Sequence, residues 1–126
     1  MYSRSMIGIM HGSVCKAVTC DWDGHLDDAG QTLQQFYANS VLANQLIARG
    51  NMSNLAHSVN HTRFHENQEF ETFASYDDLF RRGVIDQKCK YLYIMKKNRW
   101  YYATADRPAL KPLKPVVQRW IEEDIV

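Results

Sequence analysis

No stretch of this 126-residue chain approaches the ~20 consecutive apolar residues a membrane-spanning helix needs. Cysteine is scarce as well. Cys15, Cys20 and Cys89 make an odd number, which argues against a disulfide framework. The opening Met-Tyr-Ser-Arg-Ser-Met-Ile-Gly lacks a signal peptide's apolar run and small-residue cleavage site. These absences lead to the expectation of a cytoplasmic protein with reduced thiols. Cys15 and Cys20 lie five residues apart in one expected strand, so a pleat points them to opposite faces and they should not pair. Net charge is also nearly missing: at +1 it excludes wholesale mimicry of DNA by an acidic surface. Low-complexity tracts and internal repeats are absent.

What remains is a composition of 45% hydrophobic, 12% aromatic and 23% charged residues, that of one ordinary globular domain. The charge, however, is unevenly placed. Residues 1–80 carry four Lys/Arg against nine Asp/Glu, a balance of −5, whereas residues 81–126 carry eleven against five, a balance of +6. Such asymmetry bears on surface fields and partners, not on fold.

Met6-Ile-Gly-Ile-Met10 and Val14–Cys20, joined by His11-Gly-Ser13, are expected to form an opening hairpin. Ala29, Leu33, Phe36 and Tyr37 fall at helical spacing, as do Leu42, Leu46 and Ile47, with a break near Asn39 and a closing Gly50. Residues 51–74 show no sustained period and are expected to be loop with local helix. Ser75-x-x-Asp78 has capping-box form and should open a short helix ending at Gly83. Tyr91–Met95 and Arg99–Ala105 around Lys96-Lys-Asn98 make a second hairpin. Pro108, Pro112 and Pro115 space out an extended linker before a last helix with Val116, Val117, Trp120 and Ile121 as its apolar stripe. The expected fold is therefore α+β: about four mostly antiparallel strands in two hairpins, with three to five helices over one face. Residues 1–106 form the core domain, and 107–126 a proline-rich linker and C-terminal helix packed on or extending it.

Chemistry concentrates between Val18 and Gly30, where Asp21, Trp22, Asp23, His25, Asp27 and Asp28 crowd together. Asp21-Trp-Asp23-Gly24 after an apolar strand has the form of the first motif of haloacid dehalogenase-like phosphatases. There Asp21 would be nucleophile and Asp23 acid/base, with magnesium neutralising the phosphoryl group. That fold needs a parallel sheet with repeated βα crossovers, and the later motifs have no counterpart here. An EF-hand starting at Asp21 fails at Leu26 and Thr32, where glycine and glutamate belong. A looser magnesium or manganese site at Asp21 and Asp23 stays open. The structural alternative makes the turn a corner: Asp27 or Asp28 caps the helix, Gly24 permits the turn and Trp22 anchors it in the core.

His57, His61 and His65 recur every four residues and on a helix would share a side suited to zinc, although their neighbours are poor helix formers. A Cys–His pair is conceivable, but a mid-strand cysteine is more often a small buried hydrophobe. From Arg81 to Arg119, basic residues interleave with aromatics, and Lys96, Lys97, Arg99 and Trp100 could stack bases and hold phosphates or meet an acidic protein. Alternatively the aromatics fill the core while the lysines solvate the turn.

Arg4-Ser-Met-Ile-Gly-Ile9, Val18-x-Cys20-x-Trp22-Asp-Gly24, Gly50-Asn-Met-Ser-Asn-Leu55, Tyr91-x-Tyr93 and Trp100-Tyr-Tyr102 occur in that order. Across residues 3–103 the pattern resembles small proteins encoded by tailed bacteriophages and prophages, whose signature reads Cys-His-Trp-Asp-Gly-Tyr-Pro. Here Asp21 stands for the histidine, and His25-Leu26 for Tyr-Pro. The resemblance implies a phage source, and with it a non-enzymatic, stoichiometric binder or inhibitor of a host factor or defence complex. Trp22, Asp23, His25, Lys96, Lys97, Arg99 and Trp100 are the candidate binding residues, and no cofactor is expected. Two alternatives stand beside this reading. One is a metal-dependent hydrolase or nucleotide-handling enzyme centred on Asp21 and Asp23, with His57, His61 and His65 as further candidate ligands. The other is a nucleic-acid binder using residues 81–119.

Overall fold

A computed structural model describes residues 3–125, with side chains through Arg119. Eight strands form one mixed sheet: β1 (Ser5–His11), β2 (Val14–Cys20), β3 (Met52–Asn54), β4 (Arg63–Phe64), β5 (Glu71–Phe73), β6 (Tyr91–Lys96), β7 (Arg99–Thr104) and β8 (Arg107–Pro112). Their order is β4-β3-β2-β1-β6-β7-β8, with β5 paired to β2 off that path. Four α-helices accompany them: α1 (Gln31–Phe36), α2 (Ser40–Ile47), α3 (Tyr76–Arg81) and α4 (Lys114–Ile125).

Both expected hairpins form, with β1 antiparallel to β2 and β6 antiparallel to β7. The β6–β7 turn places Lys97 (φ 50°) and Asn98 (φ 64°) in the left-handed region, as a tight two-residue hairpin requires. What joins the hairpins is a parallel pairing of β1 with β6, from Ser5↔Tyr91 to Met10↔Lys96. A parallel seam has both faces covered, and its strands are correspondingly apolar throughout. Met6, Ile7 and Ile9 of β1 and Leu92, Tyr93, Ile94 and Met95 of β6 are all buried.

The class is α+β as expected, but the count of about four strands is overturned by the eight observed. Three of the additional strands, β3, β4 and β5, lie in the segment expected to be irregular. They are two or three residues long, too short to show a period, and they exist because β2's outer edge needs hydrogen-bond partners. Its start takes β5 (Cys15↔Phe73) and its end takes β3 (Cys20↔Met52). The fourth, β8, is the proline-spaced segment expected as a linker. It runs antiparallel to β7 as an edge strand, where missing donors at Pro108 and Pro112 are tolerated.

Helices over one face is likewise corrected, because two cores lie on opposite sides of the sheet. One gathers Ile7, Ile9, Val18, Cys20, Tyr93 and Trp100 with residues of α1, α2 and α4. The other gathers Met6, Cys15, Ala17, Leu92 and Ile94 with Leu79 of α3. Cys15 and Cys20 thus enter different cores, as their spacing requires, and all three thiols are free. Val117 of α4 is buried, while Trp120 and Ile121 lie outside the described side chains.

Helix starts follow local chemistry. Asn39 breaks the first helical segment and accepts the Leu42 N–H, which caps α2. Ser75 does the same for the Asp78 N–H at α3. The helix expected to stop at Gly83 runs on through a wide π turn, Arg82–Asp86. Asp27 and Asp28, expected as caps, fall instead inside another π turn, Leu26–Gly30, that leads into α1. The turn opens early because the Asp28 and Gly30 N–H groups donate to His25 O and Ala29 N–H to Asp23 O. His25 occupies the cap position without a side-chain cap bond.

After α2, Gly50 has φ +94°, and a Cβ there would collide with the Gln68 carbonyl oxygen. Replacing Gly50 with Ala should therefore cost at least about 2 kcal/mol, combining left-handed strain with a backbone clash. A urea-unfolding midpoint unchanged from the parent would show that the chain reversal does not depend on glycine.

Candidate functional site

At one end of the sheet, segments distant in sequence meet around Asp21. The β1–β2 register pairs Ser5 with Cys20, so one step further along the ladder Arg4 faces Asp21. The Asp21 N–H donates to Met52 O (3.1 Å), which extends the β2–β3 contact and brings in the neighbouring β4 strand and His65 beyond it.

The Asp21 carboxylate has both oxygens engaged. Arg4 donates from Nε to Oδ1 (3.3 Å), its Nη2 lies 3.2 Å from the same oxygen in an ion pair, and His65 Nε2 lies 2.7 Å from Oδ2. A carboxylate only accepts, so the ring proton sits on Nε2. Arg4 is braced in turn, donating from Nη1 to Gln87 O (3.1 Å) and Oε1 (2.8 Å). These side chains are partly buried, with relative exposures of 27% for Arg4, 22% for Asp21 and 35% for His65. An oxygen held this way is poorly placed for attack on phosphorus, and a guanidinium beside it opposes a hard cation. Asp23 is turned elsewhere: its φ of 56° swings the chain, and it lines a small cleft of about 110 Å³ with Trp22, Asp28, Ala29, Thr32 and Leu55. Asp21 and Asp23 therefore do not converge on one cleft.

The Trp22 loop is rigid. Backbone N–H groups of Asp21, Trp22 and Gly24 donate to Met52 O, Ser53 O (3.0 Å) and Ser3 O (2.9 Å). The buried Tyr93 hydroxyl donates to Gly24 O at 2.6 Å. Gly24 serves by size: a Cβ there would lie 2.7 Å from Ser3 O, and the positive φ belongs to Asp23. Trp22, expected as a core anchor, is instead 45% exposed. It lies beyond β2's last pairing, over the cleft. Burial, followed by the neighbouring Asp27 and Asp23 carboxylates, pushes the Asp28 carboxyl above its usual range.

His25 Nδ1 meets the Tyr91 hydroxyl at 3.3 Å, while its Nε2 is buried without a hydrogen-bond partner among the described residues. The histidines expected to share a helix face are dispersed. His57 stacks on Phe36 (centroids 4.2 Å apart), His61 Nδ1 meets Ser58 Oγ at 2.7 Å, and only His65 reaches Asp21. Among the described residues no three His, Cys, Asp or Glu side chains form a group that could hold a metal ion. Lys96, Lys97 and Arg99 are exposed around the β6–β7 turn. Trp100 is in the core and donates its indole N–H to Tyr37 O at 2.8 Å. Arg4, Gln87, Thr32 and Leu55 were not singled out as site residues by sequence; only Arg4 had a usable signal, the hairpin register. No helix among the described residues is long and apolar enough to cross a membrane. Comparison with known protein families, with curated proteins and with solved structures finds no match.

The buried thiols are poor nucleophiles. Burial pushes Cys20 and Cys89 up to about 12, and it also raises Cys15. These thiols should react with Ellman's reagent at pH 8 only as fast as the chain unfolds. Their folded values exceed the ordinary 9.0, so their contribution to stability is complete below pH 9 and is lost as pH climbs towards about 12. Urea midpoints should fall across that window; a flat profile would contradict the burial of the thiols.

Breaking the Arg4–Asp21 contact should show coupling. In a double-mutant cycle with Arg4→Met and Asp21→Asn, an interaction energy of about 1–2 kcal/mol is expected for a partly buried, charge-assisted contact. Strict additivity would mean that the two side chains are adjacent without holding one another.

Proposed function

We propose that this chain works by stoichiometric binding to a protein partner, with no turnover, and that the Trp22 cleft is its docking face. The observation that carries this reading is an exposed tryptophan on a loop held by backbone hydrogen bonds at residues 21, 22 and 24. Large rings presented rigidly are the side chains that most often dominate binding energy, because little entropy is lost when they dock. Asp23 and Asp28 line the cleft with Trp22, and burial followed by the neighbouring Asp27 and Asp23 carboxylates raises the Asp28 carboxyl, a cost that a cationic partner would offset. A partner presenting Arg or Lys beside an apolar pocket fits that chemistry. The sequence resemblance supports a bacteriophage accessory protein whose partner is a host factor or defence complex in the bacterial cytoplasm. Engagement of both Asp21 oxygens weighs against the hydrolase reading.

The test compares tagged parent chain with Trp22→Ala. Because Trp22 is only 45% exposed, the variant's folding is checked first by its NMR spectrum and its urea midpoint against the parent's. Its affinity for the protein recovered near one-to-one from bacterial lysate should fall at least about tenfold by calorimetry. Equal affinity in the variant, or no stoichiometric partner for the parent chain, would overturn the proposal.

A further inference from the structure

The pleat of the sheet gathers a further group of side chains on the face that carries α1, α2 and α4. Tyr91 of β6 stands opposite Thr104 of β7, and Tyr93 opposite Tyr102. Across β7, Thr104 pairs with Arg107 of β8, and Tyr102 with Lys111. Residues paired across strands project to the same side of a sheet. Tyr93 lies in the core formed with those helices, and Tyr91 and Tyr102 pack against it, so both rows belong to that face. β8 agrees: Leu110 packs in the opposite core, which leaves Arg107, Ala109 and Lys111 on this side.

Over these two rows lies a cleft of about 300 Å³, closed on one side by Leu26. Its size is at the lower end of the range for small-ligand sites. A register shift draws its cations together. Four positions separate Arg107 from Lys111 on β8, but only two separate their partners Thr104 and Tyr102 on β7. The surplus residues form a bulge, which re-aims side chains at a sheet edge. Both cations are exposed, and neither forms an ion pair among the described residues. Asp106 is the one acid among the described residues of the lining, and its Oδ1 accepts the Thr104 hydroxyl at 2.7 Å. Two cations against one carboxylate leave a positive field that favours an anion.

The floor is fixed before any ligand arrives. The Tyr91 hydroxyl meets His25 Nδ1 at 3.3 Å, and its ring lies within 11° of parallel to that of Tyr93. Tyr93 is itself tied to Gly24 O at 2.6 Å, and the Ala105 N–H donates to Lys90 O at 3.0 Å. A site braced this way loses little freedom on binding. Aromatic rings beside basic side chains suit a base and its phosphate, Arg107 offering a planar fork and Lys111 a mobile point charge. We propose that this cleft binds a nucleotide, with its base on Tyr91 and Tyr102 and its phosphate between Arg107 and Lys111. A free nucleotide and a single strand present the same base and phosphate.

The experiment is a ¹⁵N NMR titration of the whole chain with adenosine 5′-monophosphate, adenosine and a short oligoadenylate. The monophosphate should give saturable shifts centred on Leu26, Tyr91, Thr104, Arg107 and Lys111. Adenosine should bind at least about tenfold more weakly, because it lacks the charged group. Arg107→Ala combined with Lys111→Ala should weaken the monophosphate by a similar factor while the remaining spectrum stays that of the parent. Arg63→Ala combined with Arg81→Ala removes the same charge from β4 and α3, both side chains being exposed, and should leave affinity within about twofold. If the ligand is a strand, the oligoadenylate binds tighter than the monophosphate; if it is a free nucleotide, the oligomer binds no tighter. Absence of saturable shifts with both phosphate-bearing probes would overturn the proposal. So would adenosine matching its monophosphate, undiminished binding by the cleft variant, or an equal loss in the two double variants.

Discussion

Seventy residues separate the first hairpin, β1–β2, from the second, β6–β7, yet the molecule depends on a contact between the two. The parallel pairing of β1 with β6 converts two local hairpins, each marginal alone, into a sheet wide enough to bury both faces. A parallel neighbour must be reached by a crossover, and residues 21–90 are that crossover. They supply α1 and α2 to one face and α3 to the other, and drop β3, β4 and β5 along the outer edge of β2 on the way. Without the seam, Ile7 and Tyr93 would have no common core to enter.

The same seam creates the cluster at the sheet's end. Arg4 precedes β1 and Gln87 precedes β6, so running those strands in parallel sets both approaches side by side. Antiparallel β2 exits at that end and delivers Asp21 between them, and the β3–β4 pair carries His65 to its far oxygen. Three charged or chargeable groups are thereby locked in mutual contact, which explains why the richest acidic stretch in the sequence does not present two cooperating carboxylates. The reactive appearance of Asp21-x-Asp23 dissolves once the chain is seen to swing through a left-handed residue between strand and helix.

Local features were legible in the sequence, and contextual ones were not. Both hairpins follow from turn chemistry and β-branched or aromatic runs, and the helix break at Asn39 from a residue that caps better than it continues. The hairpin register even contained the Arg4–Asp21 pairing, because a turn at Gly12–Ser13 sets the two positions opposite each other. Strands of two or three residues carry no period to read, and Pro108 and Pro112 disguise an edge strand as a linker. Trp22 misleads for another reason. Its size and apolarity favour burial, but it lies two residues past the last paired residue of β2 and stays 45% exposed at the rim of the cleft it shares with Thr32 of α1. His65 was visible only as one member of a histidine series whose helical arrangement the chain never adopts.

Strand order also turns the uneven charge of the sequence into a spatial division. Along β4-β3-β2-β1-β6-β7-β8 the four strands on one side of the seam come from the acidic first 80 residues, and the three on the other from the basic remainder. No strand of the second half inserts among those of the first, although Arg82 reaches Glu71 and α4 packs back on α1. The carboxylates of Asp23 and Asp28 accordingly lie in the Trp22 cleft, on the acidic half's side of the seam. On the proposed function, the indole and the acids beside it are what this end of the sheet offers to a cationic protein surface.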